Sequence, residues 1–163
     1  AEALKQSIEM RKQELEQELA STTEEEDQNL LEDANPIRLA VHSLLAANEL
    51  LGGIGQQVSE LAKQVNESVA TTTVAEAKIQ SRGFFTKLFF GGDSAAANTI
   101  SDTVAQNQQR IDTLTKLLDQ ANVSAEVQST LSTQITALEG AQTRLQDIAQ
   151  SAKKQWGIFS WRF

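Results

Sequence analysis

Apolar residues recur along this chain at helical spacing almost from end to end. In Glu2–Asp33 they form narrow rows eleven residues apart: Leu4, Leu15 and the position of Glu26, and Ile8, Leu19 and Leu30. That period, about 3.67 residues per turn, suits a nearly straight helix with one thin apolar stripe and a charged remainder. Asn35-Pro36 follows. A residue before proline is disfavoured in the α region, and proline suits a first helical turn. The pattern therefore ends one helix near Asp33 and starts another at Pro36.

From Pro36 to Arg82 the repeat becomes seven. One seam is Ile37, Leu44, Leu51, Val58, Val65, Thr72 and Ile79; its companion is Ala40, Ala47, Ile54, Leu61, Ser68 and Ala75. Only Thr72 and Ser68 are polar, which predicts coiled-coil-type packing. Gly52, Gly53 and Gly55 interrupt the run and predict a bend or a close backbone approach. A third seam follows Ser94: Ala97, Ile100, Val104, Asn107, Ile111, Leu114, Leu118 and Ala121. Its one polar member, Asn107, reads as a register-fixing residue. Asn122-Val123-Ser124 makes a turn with Ser124 as N-cap. A fourth seam is Val127, Leu131, Gln134, Leu138, Ala141, Leu145, Ile148 and Ala152.

The expectation is an all-α protein: a single domain over 1–163, an antiparallel bundle of four long helices at 2–33, 36–82, 94–121 and 125–156. A connector spans 83–93 and a tail 156–163. Since 36–82 is much longer than the later helices, the bundle thins to a two-helix hairpin above the glycines. Short connections make successive helices antiparallel. The connector and the C-terminal tail then meet at one end, beside the N-terminus.

Composition sharpens that end. All eight aromatic rings sit in these two segments: Phe84, Phe85, Phe89 and Phe90 in one, Trp156, Phe159, Trp161 and Phe163 in the other. Rings usually spread through a core, where they contribute most burial. Here they are gathered apart from an aliphatic body. Two readings stand. The rings pack on one another and plug the end, or they form a contact surface for a membrane or a protein partner. Eight rings cover on the order of 1,000 Å², more than a monomer ordinarily exposes. Lys153, Lys154 and Arg162 lie beside the tryptophans, a combination favoured at membrane–water boundaries.

Charge and chemistry exclude more than they assign. The net charge is −8, with half of the 22 acids in Glu2–Asp33, so nucleic-acid binding is not expected. Cysteine is absent and His42 is the single histidine. That removes thiol chemistry and the paired Glu-x-x-His set of a di-metal bundle. The glycine-rich stretches lack the lysine of a phosphate loop. Asn66-Glu67-Ser68 and Asn122-Val123-Ser124 match a glycosylation triplet that is common by chance. No cofactor, metal or catalytic residue is assigned.

The sequence thus reads as a non-catalytic structural or interaction module. Membrane-associated or extracytoplasmic placement is favoured over cytoplasmic, since no catalytic constellation is present and the aromatic end lies near both termini. A homodimer is expected through the upper hairpin, where one thin stripe must cover a long seam. The alternative is a small-molecule sensor or carrier that binds between helices near Gly52–Gly55.

Overall fold

The computed structural model describes residues 1–80 and 94–157, with side chains through Lys154. Among these the protein is all-helical and has no strand. Five helices pack against one another: α1 Glu2–Ser21, α2 Glu25–Ala46, α3 Gly55–Gln80, α4 Ser94–Asp119 and α5 Ala125–Gly157.

The first expected boundary is corrected. The helix beginning at Glu2 stops at Ser21, not Asp33, and α2 runs straight through Pro36. The local chemistry at Ser21–Glu24 accounts for the stop. The Ser21 and Thr22 hydroxyls both donate to the Glu18 carbonyl, at 2.9 Å each. Thr22 then turns extended, with ψ of 124°. Glu25, Glu26 and Asp27 fill the first turn of α2, where the helix dipole favours negative charge. Proline costs α2 one backbone hydrogen bond, but burial on both sides of it outweighs that: Ala34, Ile37, Ala40, Val41 and Leu44 are all buried.

The expected helix 36–82 is also corrected. It breaks between Ala47 and Ile54 into a turn that closes with a single 3₁₀ turn, Gly52–Ile54. Two of its glycines are required there. Gly52 adopts φ of +55°, and a side chain on Gly55 would collide with the Asn48 backbone carbonyl. The bend predicted at these glycines is therefore a reversal. With it goes the length mismatch from which a thinned two-helix hairpin was expected. The later boundaries agree closely with the sequence reading, and the Ser124 hydroxyl does cap α5, accepting from the Val127 amide at 3.3 Å.

α2 packs against α3 and α5, α3 against α4, and α4 against α5, while α1 lies on α2. Asn107 reaches Ser68 and Arg110 reaches Gln64, which sets α4 antiparallel to α3. Asn107 to Gln142 and Lys153 to Ser101 set α5 antiparallel to α4. Ser7 meets His42 while Asn35 meets the Leu15 carbonyl, so α1 and α2 are antiparallel.

The predicted seams supply most of the core. Ile37, Ala40, Leu44, Ala47, Leu51, Val58, Val65, Thr72 and Ala75 are buried, as are Ala97 through Leu118 of the third seam. Past the break one companion position differs: Ala62 is buried where Leu61, which is half-buried, was expected. α5 buries Ile135, Gln142 and Ala149 beyond its predicted row, because it faces α2 as well as α4.

Candidate functional site

The aromatic residues named as the contact site lie outside the described residues: Phe84, Phe85, Phe89, Phe90, Phe159, Trp161 and Phe163. Trp156 has its backbone in α5, but its side chain is likewise outside them. Their flanks are placed. α3 ends at Gln80, α4 begins at Ser94, and Lys153 near the end of α5 donates to Ser101 of α4 at 3.0 Å. The three chain ends from which both aromatic segments leave are thus at one end of the helix stack. Val74, Lys78, Ala95 and Thr99 line an open cleft there between α3 and α4. Val74 is 56% exposed, an apolar side chain on the rim of that cleft.

The N-terminus is at the other end, which corrects the expectation that it lies beside the aromatic segments. Lys5 pairs with Glu126 at the start of α5. The turn at Thr22–Glu24 stands in for the one expected at Asn35-Pro36, and the reversal at Gly52–Gly55 is additional, so Ala1 lies on the far side.

Just inside the aromatic-flanked end, three helices bring charge together. Arg144 of α5 holds Asp33 of α2 at 3.0 Å. Beside them Glu76 of α3 is 2% exposed. Its Oε1 accepts from Gln80 Nε2 at 2.8 Å. Burial raises the Glu76 carboxyl to about 8; a hydrogen bond to Asp33 and that group's charge add to the rise, and Arg144 opposes it. Sequence reading passed over Glu76 because it lies one position outside the seam at Ala75. The available signal was its i, i+4 spacing from Thr72 and to Gln80.

A second polar layer crosses the middle of the stack. Asn107 Nδ2 donates to Ser68 Oγ at 2.8 Å and to Gln142 Oε1 at 3.1 Å. Arg110 Nη1 donates to Asn107 Oδ1 at 2.7 Å, and its Nε to Gln64 Oε1 at 3.3 Å. Asn107 thus bonds across helices from its seam position. The structure adds Gln142, buried and with its Nε2 unpartnered.

His42 faces Ser7 Oγ at 2.9 Å, and no cluster of metal-ligating side chains occurs among the described residues. Gly52 and Gly55 are accounted for by the reversal they build. No described helix is long and apolar enough to cross a membrane. No family model, curated protein or solved structure matches the chain.

Proposed function

We propose that the chain is a non-catalytic helical interaction module, part of a membrane-associated or extracytoplasmic protein, whose aromatic end makes the contact. In this reading α2–α5 form an antiparallel four-helix body with coiled-coil-like packing, and α1 is a fifth helix laid against it. The observation that carries the proposal is the convergence of Gln80, Ser94 and the end of α5 on one end of the stack. Two aromatic segments far apart in sequence therefore depart from neighbouring points. Among the described residues, the large exposed apolar side chains away from that end are Met10, Leu45 and Leu50.

A bilayer surface suits this composition better than an acidic or nucleic-acid partner. The net charge of −8 opposes anionic lipid, so contact relies on apolar insertion helped by Lys153, Lys154 and Arg162. The test is intrinsic fluorescence. Adding phosphatidylcholine vesicles shifts the emission of Trp156 and Trp161 to the blue. Trp161→Ala with Phe163→Ala weakens vesicle binding and leaves the melting temperature nearly unchanged. A plug gives the reverse: no vesicle response, and a loss of about 3–5 kcal/mol on truncating a ring such as Phe85 or Trp156. A shift produced by a protein partner and not by lipid retains the contact surface and changes its occupant.

A further inference from the structure

The buried carboxyl of Glu76 lies where three helices meet, one turn before the end of α3. We propose that Glu76 keeps its proton in the folded protein, donates it to Asp33 and, with the Asp33–Arg144 pair, acts as a proton-dependent clamp that holds the last turn of α3 against α2 and α5.

Glu76 Oε1 accepts from Gln80, and the same carboxyl also hydrogen-bonds Asp33. Two carboxyls in contact need a proton between them. Arg144 neutralises Asp33 from the α5 side, leaving Glu76 to carry that proton and donate it. Among the described residues, Asp33 of α2 and Arg144 of α5 are the charged groups acting on Glu76. α4 presents Ala95, Ala96 and Thr99 to this stretch of α3, none of them charged, and Lys78 lines that α3–α4 cleft. Once that proton leaves, a carboxylate that is 2% exposed faces the Asp33 carboxylate, and Arg144 is the one cation acting on it among the described residues. Hydration of Glu76 then requires the last turn of α3, Glu76–Gln80, to move away from α2.

The sign follows from the raised value of about 8 for Glu76 against its ordinary 4.5. The folded state keeps a proton that the unfolded chain has lost. Stability from the clamp is full below the ordinary value, declines as pH rises through the interval, and is gone once Glu76 ionises. Above that point both states are ionised and no further loss accrues.

The test compares the protein with Glu76→Gln in urea from pH 5 to 9.5. Glutamine keeps the shape, can donate to Asp33 and can accept from Gln80, but it cannot ionise. The folding constant of the unaltered protein, divided by that of the variant, is expected to fall by up to about tenfold per pH unit and to level off above pH 8. Parallel profiles overturn the proposal. A carboxyl ¹³C titration of the unaltered protein reads Glu76 directly: a midpoint near 8 supports the clamp, and one in the ordinary glutamate range overturns it. Amide exchange, corrected for its intrinsic pH dependence, should accelerate above pH 8 in Ala77–Gln80 and not in Val58–Val65. An equal response in both stretches overturns the claim that the clamp is local.

Discussion

Asn107 and Ser68 are 39 residues apart in sequence, yet their side chains hydrogen-bond at 2.8 Å across α4 and α3. The same amide donates to Gln142 of α5 and accepts from Arg110. One seam asparagine therefore ties three helices at a single level. Removing it strands the buried Gln142 and takes a partner from the half-buried Ser68 and Arg110, and a stranded buried group costs about 1–3 kcal/mol. Asn107→Ala should lower the unfolding free energy by roughly 2–4 kcal/mol, measured by urea denaturation. Asn107→Leu combined with Ser68→Ala and Gln142→Leu should recover most of that loss, because the buried partner becomes apolar and the half-buried Arg110 keeps Gln64. The triple variant should also tolerate register slippage, visible as broadened amide resonances in α3 and α4.

The reversal after α2 gives a contrast among glycines. A methyl group on Gly55 meets the Asn48 carbonyl, which is backbone and cannot move aside cheaply, whereas one on Gly140 meets nothing within 4 Å. Gly55→Ala should destabilise by about 2 kcal/mol or more. Gly140→Ala, in the interior of α5, should stabilise by about 0.5–1 kcal/mol through helix propensity and a less flexible unfolded chain. Thermal melts of the two variants should move in opposite directions.

These positions also show how far the sequence could be read. The heptad rows identified most of the buried face, because burial on a helix is periodic. The reversal at Gly52–Gly55 registered only as a bend, since a glycine run shows that the backbone is free without showing by how much it turns. The boundary at Ser21–Glu24 was missed for a different reason. Asn35-Pro36 is the louder local signal, and tertiary burial of Ala34, Ile37 and Ala40 overrode it. The quieter and correct signal was Ser-Thr-Thr followed by the acidic run Glu24–Asp27, a dipole-matched helix start. Glu76 and Gln142 escaped because each sits beside the seam, where a polar residue ordinarily faces water. Only the third dimension shows that a second helix covers it.

Pro36 offers a direct measurement of that override. Its ring leaves the Glu32 carbonyl without its usual i+4 donor, and the helix continues regardless. Pro36→Ala restores the donor and removes the ring from the backbone of the preceding turn. The variant should be more stable by about 1–2 kcal/mol, less than the full helical penalty of proline because some ring packing near Leu15 and Leu39 is lost. An unchanged or lowered melting temperature would show that the ring fills the surface between α1 and α2 more effectively than it strains α2.

The last prediction concerns whether α1 belongs to the body or is a detachable arm. Its apolar side chains are few, but Leu4 and Leu15 are each 3% exposed, whereas Met10 on the opposite side is 62% exposed. Arg38 of α2 bonds Glu18 at 2.9 Å, and Asn35 donates to the Leu15 carbonyl at 3.4 Å. The start of α1 also meets α5 through Lys5 and Glu126, an exposed pair that adds little by itself. Burial of the leucines is therefore what docks the helix. Leu15→Ala should cost about 2–4 kcal/mol, with unfolding remaining a single transition. Met10→Ala should fall within about 0.5 kcal/mol of the parent. A detachable arm behaves otherwise: Leu15→Ala would leave the main transition in place and produce an earlier, partial loss of helical signal. Far-ultraviolet circular dichroism during urea denaturation, followed alongside amide exchange in α1 and α4, distinguishes the two. Equal protection in both helices is the expected result.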